Sequence, residues 1–258
     1  MSKDQTRLVG TSGLTVAPLA LGGNVFGWTA DQAVSFAILD AFVDAGGAMI
    51  DTADVYSAWV PGHHGGESET VIGDWLKRDP AKRDKVIIAT KVGFMAGLSP
   101  DTIAPACDAS LRRLGVETID LYYQHKDDEG VPLADSLGAF EALRHAGKIK
   151  AIGLSNFSAA RVEHALDTAV QAGIEPAVAV QGWYNLVERG KYEGELQDVV
   201  TGRGLAFFSY YSLANGFLTG KYRSKVDLGK SVRGGRNIEY VESPMGKAVL
   251  AALDEVAA

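Results

Sequence analysis

The sequence is poor in cysteine, in long apolar runs and in positive charge. Cys107 is the only cysteine among the 258 residues, which excludes an intramolecular disulfide. No apolar run approaches the ~20 residues that span a bilayer, and the polar start MSKDQTRLVG does not resemble a signal peptide. Acidic residues outnumber basic ones by 32 to 25, so nucleic acid and anionic membranes are not expected as partners. We therefore expect a cytoplasmic protein.

Short apolar runs alternate with longer segments of helical periodicity. The runs cover 19–21, 48–50, 86–89, 119–123, 151–154, 177–180 and 205–208. Because apolar and polar residues do not strictly alternate within them, the runs indicate parallel strands covered on both faces. The strand–helix alternation predicts an α/β fold, either a closed (β/α)₈ barrel or an open doubly wound sheet. A hairpin precedes it, since residues 7–9 and 16–19 flank the short turn at 11–13.

The first predicted helix begins at Thr29, which forms a capping-box pair with Gln32, and it ends at Gly46. Its apolar stripe, which we expect to face the core, consists of Val34, Ala37, Ile38, Ala41 and Phe42. Further helices are predicted at 66–78, from Ser99, at 133–146, 158–172 and 193–203, and from Ser243. Only seven strands are found, so we expect one barrel domain over 1–258 whose last strand and helix are missing from this chain.

Polar residues stand where the predicted strands end. The carboxyl ends of parallel strands meet at one rim, where (β/α) proteins keep their chemistry. The residues at these ends are Asp51, Lys91, His125, Ser155, Asn156, Gln181, Ser209 and Tyr210. Each alone is typical of a helix cap or a solvated side chain, but together they bring an acid, a cation and an imidazole to one mouth. Tyr56, in the loop after the second run, can reach the same mouth.

Four of these side chains together can donate a proton to a substrate: Asp51, Tyr56, Lys91 and His125. A phenol has a pKa near ~10, and a neighbouring ammonium lowers that pKa. Asp51 can pair with Lys91 and offset the desolvation of its charge. His125 can hydrogen-bond the same substrate oxygen as Tyr56. The set predicts a proton donor aimed at a carbonyl oxygen, and since no side chain supplies a hydride, a nicotinamide cofactor is expected.

Short sequence stretches that match those of a known protein family, in the same order, extend over almost the whole chain. They are Asp51–Tyr56, Gly66–Glu69 with Ile72–Gly73, Thr90–Gly93, Asp120–His125, Gly147–Lys148, Ile152–Phe157, Gln181, Tyr184–Leu186 and Gly216–Tyr222. In this order they resemble the aldo-keto reductase family. The resemblance implies a (β/α)₈ barrel that reduces aldehydes or ketones with NADP(H), or with NAD(H), bound in extended form. It also implies that Tyr56 is the general acid and that Asp51, Lys91 and His125 support it.

The resemblance further implies which residues hold the cofactor. Ser155, Asn156 and Gln181 would bind the nicotinamide carboxamide, and Tyr210 would stack on its ring. The remaining cofactor-binding residues would be Ser212, Leu213, Gly216 and Lys221 along the pyrophosphate, Gly23 and Asn24 at the ribose, and Asp51. The segment that grips the adenosine is expected beyond residue 258, so the preference for NADP over NAD is inherited from the family.

Loop residues complete the predicted site. Trp28 and Trp59 lie in rim loops and are candidate walls of the substrate pocket, together with His125. His63 and His64 lack further ligands at metal-binding spacing, so no metal is expected and the pair is assigned to an exposed or rim loop. Two alternatives remain at this point: an NAD-dependent sugar or alcohol dehydrogenase, and a cofactor-binding regulatory subunit of a membrane channel. The substrate, the direction of reaction and the oligomeric state are left open.

Overall fold

A two-stranded hairpin leads into the main sheet. In the computed structural model, which describes residues 6–258, β1 (Arg7–Leu8) pairs antiparallel with β2 (Thr15–Val16). The Ser12 hydroxyl closes the turn by donating to the Val9 carbonyl at 2.7 Å. The predicted hairpin is thereby confirmed. The first five residues, on which the expectation about a signal peptide partly rests, lie outside the described residues.

Seven strands follow the hairpin and form one parallel sheet in chain order. They are β3 (Ala20–Gly22), β4 (Met49–Asp51), β5 (Ile87–Val92), β6 (Ile119–Gln124), β7 (Ile149–Ser155), β8 (Ala179–Trp183) and β9 (Ala206–Tyr210). Ile50 of β4 is paired with Ile88 of β5. Every residue of β4 and β6 is buried, as expected for strands covered on both faces. The α/β prediction is confirmed, with the strand arrangement of a (β/α)₈ barrel of which the described residues contribute seven strands.

Within the described part of the chain, six α-helices lie between successive strands of the sheet, and two more follow β9. Their bounds are α1 (Gln32–Asp44), α2 (Glu67–Arg78), α3 (Pro100–Leu114), α4 (Leu133–His145), α5 (Ala159–Ala172), α6 (Glu195–Gly202), α7 (Ile238–Glu242) and α8 (Pro244–Ala257). Among the described residues, no helix has both the length and the apolar character to cross a membrane.

The first helix departs from the sequence prediction in its start and in its buried face. Its N-cap is Asp31, whose carboxylate accepts from the Val34 N–H at 2.8 Å, and not Thr29. The buried residues are Ser35, Phe36 and Leu39, whereas Val34 is 49% exposed. The predicted stripe (Val34, Ala37, Ile38, Ala41 and Phe42) therefore does not face the core. Apolar residues occur on every side of this helix, so periodicity alone cannot select the buried face.

The described residues group into two compact units. The first extends to Val180 and includes 199–206, and the second comprises 181–198 and 207–258. The second unit has an apolar core of its own, formed by Val187, Ala214, Phe217, Tyr222, Tyr240, Val241 and Leu250. The assignment of 1–258 to a single domain stays a prediction.

The observed face of α1 leads to a stability prediction. Leu39→Ala should lower the free energy of unfolding by about 2–5 kcal/mol, because it leaves a cavity beneath a fully buried side chain. Val34→Ala on the exposed face should change it by less than about 1 kcal/mol. Urea unfolding followed by circular dichroism measures both. Equal losses for the two variants would contradict this orientation of the helix.

Candidate active site

Lys91 lies near the end of β5 with a completely buried side chain. Its ammonium donates to Asp51 Oδ2 at 2.6 Å, to the Thr52 carbonyl at 2.8 Å and to the Tyr56 hydroxyl at 3.3 Å. Burial lowers the pKa of Lys91, but the charge of Asp51 and the contact with Tyr56 outweigh burial and raise the pKa overall. The lysine is therefore a permanent cation with all three of its protons directed at oxygen atoms.

The strand register sets the separation between Asp51 and Lys91. Asp51 ends β4, and its neighbour across the sheet is Ala89 of β5, so Lys91 lies a little further along the adjacent strand. The chain then turns, and the backbone N–H of Asp54 donates to the Lys91 carbonyl at 3.1 Å. This bond ties the loop that carries Tyr56 to the strand that carries its ammonium partner. The structure thus brings Lys91 into contact with Asp51 and Tyr56, which precede it by 40 and 35 residues.

His125 follows β6 directly, and its backbone N–H donates to the Val92 carbonyl at 2.8 Å. Burial, with a further contribution from the Lys91 charge, lowers the pKa of His125 to about 2. The imidazole is therefore neutral and offers one donor and one acceptor. Its ring centre lies 5.9 Å from that of Tyr56, and its Nδ1 is buried with no hydrogen-bond partner among the described residues.

Aromatic side chains surround Tyr56 and His125 on the loop side. The ring of Trp59 contacts Tyr56 edge-on at 5.8 Å between centres and contacts Trp28 at 5.6 Å. Phe94 packs on His125 at 4.9 Å, yet it is 49% exposed, and Trp59 is 45% exposed. Half-exposed aromatic rings around polar atoms are typical of a small-molecule pocket. Trp28 and Trp59 are predicted from the sequence as walls of the pocket, whereas Phe94 is not. The position of Phe94, just beyond Lys91 at the end of a strand, could have indicated that it lies at the site.

A buried ionic contact between α2 and α3 lies next to the strand that carries Lys91. Glu69 of α2 is fully buried and accepts from Arg113 Nη2 at 2.6 Å and from the Thr90 hydroxyl at 2.5 Å. Thr90 immediately precedes Lys91 in β5, so the contact joins α2 and α3 to the strand of the site. Removal of one partner from such a pair leaves an uncompensated buried charge. We therefore regard Glu69 and Arg113 as structural support.

Asp54 is a second acid near the site that sequence analysis misses. Its Oδ1 is buried and has no hydrogen-bond partner among the described residues. Burial and the neighbouring charge of Glu69 raise the pKa of Asp54 to about 7, against the opposing effects of Arg113 and Lys91. Its carboxyl thus keeps its proton to a higher pH than an ordinary aspartate does.

The predicted cofactor residues of the first unit lie next to this site. The Asn156 side chain, with backbone φ of 58°, donates to the His125 carbonyl at 2.9 Å and to the Ser155 hydroxyl at 3.1 Å. The Gly23 N–H donates to the Asp51 carbonyl at 2.7 Å, and the half-buried Asn24 follows it. The structure therefore places these four residues beside the ends of β3, β4, β6 and β7.

The second unit holds the other predicted cofactor residues: Gln181, Tyr210, Ser212, Leu213, Gly216 and Lys221. Gln181 is buried within β8, and Tyr210 ends β9. Gly216 has φ of 92°, and an ideal Cβ there would lie 3.2 Å from the Lys221 ammonium. The segment between Tyr210 and Lys221 thus brings the Lys221 cation close to the backbone at Gly216, and a cation is suited to an anionic group.

The described residues contain no group of three or more His, Cys, Asp or Glu side chains that could hold a metal ion. His63 instead contacts Ser57, with 2.9 Å between its Nδ1 and the serine oxygen. Cys107 is buried in α3, and burial raises the pKa of its thiol to about 12.

Comparison with known proteins identifies a family. The model of the Aldo/keto reductase family matches residues 18–258. An uncharacterized 11.2 kDa protein of Pseudescherichia vulneris is 56% identical over 87 residues, covering 34% of this chain and 84% of the relative. The uncharacterized oxidoreductase YrpG of Bacillus subtilis is 34% identical over 224 residues, covering 83% of this chain and 68% of the relative. Human aflatoxin B1 aldehyde reductase member 4 is 34% identical over 212 residues, covering 81% and 62%. The chain spans about two thirds of the length of the last two relatives.

The raised pKa of Asp54 generates a pH-dependent stability prediction. The folded chain favours the neutral carboxyl. Below the unfolded pKa of ~4 the carboxyl is neutral in both the folded and the unfolded chain, so it does not change the free energy of unfolding. As the pH rises from there to about 7, the free energy of unfolding decreases. Asp54→Asn should therefore have a higher free energy of unfolding than the parent at about pH 8, by an amount on the order of a few kcal/mol, and not at about pH 4. Its thermal unfolding should accordingly occur at a higher temperature than that of the parent only at the higher pH. The exposed Asp84→Asn is the matched control. A gain that is equal at both pH values would contradict the assignment.

Proposed function

The chain belongs to the aldo/keto reductase family, and we propose that it reduces aldehydes and ketones to alcohols with a nicotinamide cofactor, with Tyr56 as the proton donor. One observation carries this proposal. The buried Lys91 ammonium contacts both Asp51 and the Tyr56 hydroxyl, and the ring centre of the neutral His125 lies 5.9 Å from that of Tyr56. Such a set of charges is suited to an oxygen atom on which negative charge develops.

The proposed mechanism assigns one task to each side chain. The bound nicotinamide would supply the hydride, which no side chain of the protein can supply. Tyr56 donates its proton to the carbonyl oxygen as that oxygen gains charge. Lys91 stabilises the resulting phenolate by its fixed positive charge, and Asp51 keeps that charge in place. His125, being neutral, donates a hydrogen bond to the same oxygen and adds no second positive charge to the pocket.

The proposed cofactor contacts are those that the resemblance to the family implies, and the chemistry of the residues is compatible with them. The Ser155 hydroxyl with the Asn156 and Gln181 amides supplies the donors and acceptors that a carboxamide requires. Tyr210 offers an aromatic face for the nicotinamide ring. Lys221 supplies a positive charge for the pyrophosphate, with Ser212, Leu213 and Gly216 along the same loop, and Gly23 and Asn24 are placed at the ribose. We propose NADP(H) as the physiological cofactor, with NAD(H) as the alternative.

The same atoms could oxidise a sugar or an alcohol if proton and hydride moved in the opposite direction. A purely regulatory cofactor-binding role would not require a buried lysine at the hydroxyl of a tyrosine. The geometry around Lys91 therefore favours turnover, and the reductive direction follows the aldehyde reductase named among the relatives.

A spectrophotometric assay tests the proposed function. Purified protein mixed with NADPH and 4-nitrobenzaldehyde should decrease the absorbance of the reduced nicotinamide, with a lower rate for NADH. The alcohol product is then identified by chromatography. If neither cofactor is oxidised while titration shows that both bind, the protein is not a reductase of aromatic aldehydes, and the regulatory alternative gains support.

Substitution of the proposed proton donor tests the mechanism. Tyr56→Phe should lower kcat by about 10²–10⁴-fold, the usual contribution of a general acid, because only the hydroxyl is lost. Binding of NADPH, measured by fluorescence titration, should change little. Tyr192→Phe is a matched control, since Tyr192 stacks on Phe207 in the second unit. Full activity in Tyr56→Phe would rule out the assigned role.

A further inference from the structure

The loop from Ser57 to Gly66 carries the histidine pair noted in the sequence and one wall of the pocket. It follows Tyr56 and leads into α2. Successive backbone bonds fold it tightly, with Val60 N–H donating to the Ser57 carbonyl at 3.0 Å and His63 N–H to the Val60 carbonyl at 3.0 Å. Trp59 lies in the middle of this loop, half exposed and edge-on to Tyr56. The course of the loop therefore decides where one aromatic wall stands.

Glu67, the first residue of α2, fastens both ends of the loop. Its Oε2 accepts from the Ser57 N–H at 3.1 Å and the Gly65 N–H at 3.0 Å, and its Oε1 accepts from the His64 N–H at 2.7 Å. Burial acts to raise the pKa of Glu67, but hydrogen bonds from the backbone N–H groups of His64, of Glu67 itself and of Ser57, with a smaller electrostatic effect of His63, lower it overall. A carboxylate that accepts three backbone N–H groups binds them more strongly than a neutral group would.

A side-chain contact closes the loop at a second point. The Ser57 hydroxyl is fully buried, and it lies 2.9 Å from Nδ1 of His63. Gly65, with φ of 95°, allows the backbone to pass so close that an ideal Cβ there would lie 2.7 Å from the Asp54 carbonyl oxygen. The side chain of the neighbouring His64 is exposed, and only its backbone N–H, which donates to Glu67, contributes to the loop. Within the described part of the chain, His63 is thus the member of the histidine pair whose side chain holds the loop.

We propose that Ser57, His63 and Glu67 form a loop clamp that positions Trp59 as a preformed wall of the substrate pocket, so that the clamp governs the recognition of large planar carbonyl compounds. This proposal rests on the proposed function. Trp59 contacts Tyr56 and Trp28, and both contacts depend on where the loop places the indole. His63 and Glu67 are positioning residues, because neither contacts the Tyr56 hydroxyl, Lys91 or His125.

Steady-state kinetics with two aldehydes of different size test the clamp. His63→Ala should raise KM for 2-naphthaldehyde by about tenfold, the scale of a lost apolar contact in a pocket, and leave kcat within about twofold. KM for propanal, which has no aromatic ring to pack against the indole, should stay within about twofold. His63→Asn should restore the parent KM, because its amide places a polar atom where the imidazole has Nδ1. His64→Ala, the adjacent exposed histidine, should behave as the parent.

Tryptophan emission tests the clamp without turnover. His63→Ala should shift the emission to longer wavelength through greater exposure of Trp59, and the same substitution in a Trp59→Phe background should cause no shift. A shift that persists in that background, or equal KM increases for both aldehydes, would overturn the proposal. An equal effect of His64→Ala would also overturn it. If the parent reduces neither aldehyde, the proposed reductase function fails, and the emission result alone decides whether the clamp exists.

Discussion

The site depends on one buried positive charge. An ammonium removed from water is costly by several kcal/mol unless oxygen atoms replace its hydration. Lys91 has those oxygens from Asp51, the Thr52 carbonyl and Tyr56. Two of the three lie at the end of β4 and just beyond it, so the parallel pairing of β4 with β5 is what makes the buried charge tolerable. Tyr56 is drawn to the same point because its hydroxyl is the remaining acceptor for the third proton.

The same charge sets the state of the imidazole beside it. His125 is buried near a permanent cation, and both conditions disfavour its protonated form. The pocket consequently holds one positive charge, one negative charge and a neutral donor, rather than two competing cations. A carbonyl oxygen that becomes negative during reduction is stabilised by such an arrangement, whereas the neutral substrate gains little from it. Differential stabilisation of this kind accelerates a reaction.

Sequence reasoning predicts the parts of this site that depend on strand topology. Asp51, Lys91 and His125 can be placed at one rim because the ends of parallel strands must meet there, whatever the loops do. The strand positions are also predictable, because short, mostly apolar runs between helical segments are typical of buried parallel strands. The face of α1 is predicted wrongly because that helix is apolar on all sides. Asp54, Phe94 and Glu67 escape prediction for another reason: their contacts depend on the course of loops, which follows from many hydrogen bonds at once and not from a local pattern.

The difference between residues held by strands and residues held by loops has a functional consequence. The charged pair of the site, Asp51 and Lys91, is fixed by the sheet, where a change of one residue in register would move a buried charge away from its partner. The proposed aromatic wall formed by Trp59 is carried by a loop, and Glu67 and His63, which hold that loop, both lie outside the strands. Chemistry and selectivity are thus held by separate sets of interactions. If the proposed function holds, changes in this loop alter which carbonyl compound is bound, while the Lys91 cluster determines the reaction.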